Sequence, residues 1–168
     1  FRDHYLRLKY STEQLAIPFE VSPSILEKAI KAAVRNSGYL DALVFVRVSR
    51  GETRDTVNPD KYFEKRALVY ISVFQGQRQN TPIRLETQEY TREYPDIKHT
   101  NYLFAELQYP ELFKKGVHDI LYLDRAREHR LVLECARKNI GIVSEGKLVF
   151  PFGGILKGIT MRIVGELA

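Results

Sequence analysis

The chain has 168 residues, 28% of them charged and 44% apolar, a balance that excludes a disordered segment and allows one good core or two small subdomains. Its net charge of +5 arises from 26 Lys and Arg scattered among 21 Asp and Glu, which argues against a nucleic-acid surface and fits a site for anionic small molecules. No apolar run is long enough to span a bilayer and no secretory signal is visible, so a cytoplasmic protein with no membrane partner is expected.

The single cysteine, Cys135, cannot form an internal disulfide and reads as a packed thiol beside Glu134. His4, His99, His118 and His129 lack metal-ligand spacing, and no metal site is expected.

Residues 4–16 read as a helix with apolar positions at Tyr5, Leu8, Leu15 and Ala16, ending before Pro18. Ser22 and Pro23 open a second helix whose stripe is Ile25, Leu26, Ala29, Ile30, Ala33 and Val34, and Gly38 ends it. Residues 43–49 are a strand by their β-branched content, and Arg50-Gly51 turns the chain. Residues 67–74 form another strand, nearly continuous in apolar residues and expected to be buried on both faces. The polar segment 75–82 is the expected linker between an N-terminal subdomain at 1–74 and a C-terminal one at 83–168.

Beyond the linker, residues 83–91 alternate as a strand, and a helix over 101–115 is expected to kink or break at Pro110 and to close at Gly116. Strands at 120–123 and 131–133 flank a charged loop at 124–130. A hairpin pairs 140–143 with 147–150 over Ser144-Glu145-Gly146, and a last helix begins at Thr160. These elements define an α/β (α+β) fold of two small subdomains.

The most informative stretch is Asp96-Ile97-Lys98-His99-Thr100-Asn101-Tyr102-Leu103, which sets one lysine just before an amphipathic helix. A lysine becomes a nucleophile where a dry or cationic setting lowers its pKa or an aldehyde captures it as a Schiff base. The Tyr102 hydroxyl, four residues on, can return toward the same point. The stretch resembles the lysine motif of the class IV aminotransferases, pyridoxal-phosphate enzymes of fold type IV that include D-amino acid and branched-chain aminotransferases and aminodeoxychorismate lyase. Three further stretches resemble that family in its order: His4-Tyr5-Leu6-Arg7-Leu8, Leu133-Glu134-Cys135-Ala136-Arg137-Lys138-Asn139 and Gly154-Ile155-Leu156-Lys157-Gly158-Ile159-Thr160.

The resemblance implies pyridoxal 5′-phosphate as cofactor, with Lys98 as catalytic residue, forming the Schiff base and shuttling the proton. It implies Glu134 at the pyridine nitrogen, Tyr102 at the phenolic oxygen, and Arg7 with the Ile159 and Thr160 helix start at the phosphate. For the substrate carboxylate the candidates are Arg47, aligned with a strand arginine of branched-chain enzymes, Arg54, near the D-amino acid enzymes' arginine but one residue short of its spacing, and Arg137, where relatives have a small residue.

The implied reaction is transamination of amino acids, of the D-amino acid or branched-chain type, with a 2-oxo acid. The alternatives are a lyase that eliminates pyruvate from aminodeoxychorismate and a catalytically silent relative. A homodimer is implied by the resemblance alone. Family members carry strands before the first motif and a further layer after the last, so the chain is expected to be an excerpt truncated at both ends.

Overall fold

A computed structural model of the chain describes residues 1–51, 67–77, 81–124 and 131–168. They fall into two compact units, Phe1–Asn80 and Thr81–Ala168, a division that lies inside the polar segment 75–82.

In the first unit α1 (Arg2–Gln14) is tied to the following segment by the Tyr5 hydroxyl, which donates to the Val21 carbonyl at 2.9 Å. Helix α2 (Pro23–Ser37) starts where Ser22 Oγ accepts from the Ile25 amide at 3.4 Å and proline occupies the first turn. It stops at Gly38, whose φ of 72° is a left-handed cap open to glycine. Strands β1 (Ala42–Ser49) and β2 (Leu68–Gln75) then pair antiparallel, and α2 packs against them.

Burial alternates along β1: Val44, Val46 and Val48 are half-buried, while Leu43, Phe45 and Arg47 are exposed. Opposite them Leu68, Tyr70 and Phe74 of β2 are exposed too, so the expectation that 67–74 is buried on both faces is corrected. Apolar and β-branched content makes a segment a strand, but the number of layers against it decides how many of its faces are dry.

The second unit is built on a three-stranded sheet in the order β3-β4-β5: β3 (Leu85–Glu89), β4 (Asp119–Leu123) and β5 (Val132–Cys135). The β3–β4 pair is parallel and therefore needs a crossover connection, which α3 (Leu103–Glu106) and α4 (Tyr109–Lys114) supply. The single helix expected over 101–115 is thus two short ones. Pro110 sits in the first turn of α4, where a missing N–H removes no helical bond, and the backbone breaks just ahead of it.

Strand β5 runs antiparallel to β4 with an irregularity, since Leu123 pairs with Val132 but Leu121 with Cys135. Leu133 and Glu134 together therefore stand opposite Tyr122 alone, a β-bulge that re-aims the strand's side chains. Beyond it, β6 (Ile142–Ser144) and β7 (Lys147–Val149) make the hairpin, its turn tightened to Glu145 and Gly146, both at positive φ (50° and 72°). The unit ends in α5 (Ile159–Leu167). Residues 125–130 of the expected charged loop lie outside the described residues.

The core lies between the sheet and the crossover helices: Ala105, Tyr109, Leu112, Val117, Ile120, Tyr122, Leu133, Ala136 and Ile155, with Met161 of α5 packed on it. Tyr90 stacks on Phe104 with centroids 3.9 Å apart, and Tyr122 meets Tyr90 edge-on at 5.0 Å. Asp119, only 1% exposed, accepts from the Tyr109 hydroxyl at 2.8 Å and the Ile120 amide at 2.9 Å, and pairs with Lys138 at 3.0 Å. Tyr109→Phe removes one donor from that buried carboxylate and is expected to cost about 1–3 kcal/mol, read as a lower urea midpoint at unchanged m-value.

Candidate active site

Lys98 stands on the connection between β3 and α3, which local hydrogen bonds hold still. Ile97 is buried and its amide donates to the Tyr94 carbonyl at 3.0 Å; the His99 amide donates to the Ile97 carbonyl at 3.1 Å. His99 Nδ1 accepts from the Asn101 amide at 3.1 Å, which leaves Nε2 to donate to the Glu93 carbonyl at 2.9 Å. The lysine side chain is exposed, with Nζ 3.4 Å from the Tyr102 hydroxyl. An accessible amine thus projects from an ordered loop with a phenol beside it.

Glu134 sits in the β5 bulge with its side chain 6% exposed, and each carboxylate oxygen is held. Oε1 pairs with Arg92 Nη2 at 3.0 Å; Oε2 accepts from Asn139 Nδ2 at 3.0 Å and from the Leu156 amide at 3.2 Å. Burial pushes its pKa above the ordinary carboxylate range, opposed by the charge of Arg92, the Leu156 amide and the charge of Lys98. The positive charge of Lys98 thus favours the ionised form of this carboxylate.

Arg92 is itself buried, its side chain 5% exposed, and Nη2 also donates to the Pro95 carbonyl at 2.8 Å. Its Nε–H has no hydrogen-bond partner among the described residues, a state that costs about 1–3 kcal/mol. Next to Glu134, Cys135 is buried, and burial raises its thiol to about 11.

The start of α5 joins the same site through Asn139, whose Nδ2 bridges Glu134 to the Leu156 carbonyl at 2.8 Å. Gly158 lies so close to this amide that an added Cβ would sit 1.7 Å from Asn139 Oδ1, so only glycine fits the approach. The first bond of α5 runs from the Arg162 amide to the Gly158 carbonyl at 3.0 Å. The amides of Ile159 and Thr160 therefore face out of the helix N-terminus, where they and the helix dipole attract an anion.

The second unit thus gathers Lys98, Tyr102, Glu134 and, through Asn139, the Ile159–Thr160 turn. Arg7 lies in the first unit, half-buried on α1, where its charge lowers the pKa of His4 after the larger effect of burial. Arg47, also in the first unit, is exposed on β1, with its guanidinium 4.9 Å over the Phe45 ring and Nη1 3.5 Å from Ser72 Oγ. Arg54 lies outside the described residues. Arg137, with its side chain 49% exposed, pairs through Nη2 with Glu106 and lies 4.8 Å over the Tyr109 ring.

Sequence reasoning missed Arg92 and Pro95. Thr91-Arg92-Glu93 reads as a solvated triplet, and the one hint was a proline soon after an arginine and three residues before the lysine.

The second unit thus presents a buried carboxylate, an exposed lysine and a helix N-terminus on a βαβ-plus-hairpin frame. The chain belongs to the class IV aminotransferase family, whose model matches residues 1–168. Its fold is that of the fold type IV enzymes. It superposes on a putative 4-amino-4-deoxychorismate lyase from Legionella pneumophila with a TM-score of 0.81 at 24% identity, covering 98% of this chain and 62% of that one. A branched-chain amino acid aminotransferase from T.th., solved in complex with N-(5'-phosphopyridoxyl)-L-glutamate, gives 0.78 at 25% identity, covering 99% and 58%. The branched-chain aminotransferase from Escherichia coli gives 0.79 at 26% identity, covering 99% and 56%. The chain therefore spans about three fifths of the length of these solved structures. No curated protein matches it.

Gly158→Ala is expected to displace the Asn139 amide, strip a donor from Glu134 and lower stability by about 1–3 kcal/mol. The displacement is read from loss of the Asn139 side-chain amide's hydrogen-bonded NMR shift.

Proposed function

We propose that this protein binds pyridoxal 5′-phosphate and transfers amino groups between amino acids and 2-oxo acids, with Lys98 as the covalent anchor of the cofactor. The observation that carries the reading is a buried Glu134 carboxylate, held on both oxygens by Arg92, Asn139 and the Leu156 amide, in the same unit that presents Lys98 beside Tyr102. The donor set suits the cofactor: an accessible amine for its aldehyde, a phenol beside that amine, a held carboxylate for its ring nitrogen and outward amides for its phosphate. When bound, pyridoxal phosphate supplies the electron sink that stabilises a carbanion.

The protein's share is orientation and proton handling. Lys98 Nζ would take and return the proton at the substrate α-carbon, and the Tyr102 hydroxyl, 3.4 Å from it, would donate to the cofactor's phenolic oxygen. Glu134 would accept a hydrogen bond from a protonated ring nitrogen, which needs the carboxylate form; Arg92 and the Leu156 amide favour that form against burial. The Ile159 and Thr160 amides and the Thr160 hydroxyl would hold the phosphate, and the family resemblance assigns Arg7 as its charged partner. Arg137, with Arg47, is the proposed partner of the substrate α-carboxylate, and Arg54 is the further candidate. The working form is proposed as a cytoplasmic homodimer that takes D-amino acids or branched-chain amino acids.

The protein loaded with the cofactor is expected to show an absorbance band near the visible edge that borohydride removes and fixes as added mass on Lys98. Lys98→Ala is expected to lose that mass and all turnover, and cofactor bound without covalent fixation on Lys98 would overturn the assignment. A lyase that eliminates pyruvate is separated by the acceptor: a transaminase stalls after one equivalent of amino acid unless a 2-oxo acid is added, whereas a lyase continues.

A further inference from the structure

We propose that Arg92 is a positioning residue for this site: its guanidinium orients Glu134 and ties that carboxylate to the loop that carries Lys98. The inference rests on the reading of Lys98 and Glu134 given above. Nη2 alone reaches both Glu134 Oε1 at 3.0 Å and the Pro95 carbonyl oxygen at 2.8 Å, which its two hydrogens allow. Pro95 stands three residues before Lys98, and buried Ile97, whose amide returns to Tyr94, makes the intervening turn stiff. A displaced guanidinium would therefore move both the acid and the base of the amine's loop.

The arrangement on Glu134 divides the work. Asn139 and Leu156 hold Oε2, and Arg92 holds Oε1, which keeps a second lone pair for a ring nitrogen's proton. Among the described residues, the titratable and charged groups that interact electrostatically with this carboxylate are Arg92 and Lys98 on the loop, Tyr122 of β4 and Cys135 of β5. With its side chain only 5% exposed, Arg92 is a support rather than a group that meets substrate.

The test is a double-mutant cycle on the protein with and without pyridoxal 5′-phosphate, using Arg92→Met, Arg92→Lys, Glu134→Gln and the Arg92→Met/Glu134→Gln pair. In Arg92→Met the uncompensated carboxyl holds its proton more tightly when folded. Its stabilising contribution is then present below its unfolded value and is lost as pH rises through its folded one. The thermal midpoint of the cofactor-free Arg92→Met protein is therefore expected to fall between about pH 5 and about pH 8, relative to the pair, by roughly 5 °C or more. Cofactor affinity is expected to fall about tenfold in Arg92→Met and to return to within about threefold of wild type in Arg92→Lys; the pair is expected to bind no more weakly than Glu134→Gln alone.

Additive losses in the pair, or a midpoint gap that does not change with pH, overturn the role of Arg92 while leaving Lys98 and Glu134 in place. A wild-type protein that takes up no borohydride-fixed cofactor overturns both readings, which keeps the two failures distinct.

Discussion

The buried pair of Arg92 and Glu134 is the constraint on which the second unit depends. Taking two charges out of water costs several kcal/mol per ion, and their attraction offsets this only when the remaining lone pairs and protons are also satisfied. Glu134 meets that condition through Asn139 and Leu156. Arg92 meets it incompletely, through Pro95 with Nε left over, so the pair is a costly device rather than a source of stability. Replacing both ions by apolar side chains is the kind of change that leaves a fold intact or firmer, so the pair is better explained by the site than by the core.

The pair also explains why irregular backbone collects here. A regular β5 would have sent Leu133 and Glu134 to opposite faces, whereas the bulge opposite Tyr122 buries both, Leu133 in the core and Glu134 beside Arg92. The close approach of Gly158 to Asn139 then fixes where α5 can begin, and with it where the outward amides of Ile159 and Thr160 stand. Strand, side-chain amide and helix start are thus set by contacts that meet at one carboxylate.

Local chemistry made much of this legible before any coordinates. Ser22, Pro23 and Gly38 mark the limits of α2 by capping alone, and Pro110 placed the break between α3 and α4 because a missing donor is tolerated only in a first turn. The exposed faces of Leu68, Tyr70 and Phe74 could not be read, since composition does not reveal how many layers cover a strand. Within the site, Lys98 and Glu134 were visible through motifs, whereas Arg92 was not: an arginine's burial depends on a partner 42 positions away, and pattern reading sees only neighbours. Arg137 pairs with Glu106, 31 positions away, a partner equally outside the reach of pattern reading.

Cys135 carries a practical corollary. It is the chain's only sulfhydryl, it is buried in β5 at the centre of the second unit, and its proton is held to about pH 11. In the native state such a group has neither the ionised form nor the access that alkylating reagents require. Its modification is therefore slaved to opening of the strand, which makes this one sulfur an intrinsic clock for the rate at which the sheet comes apart.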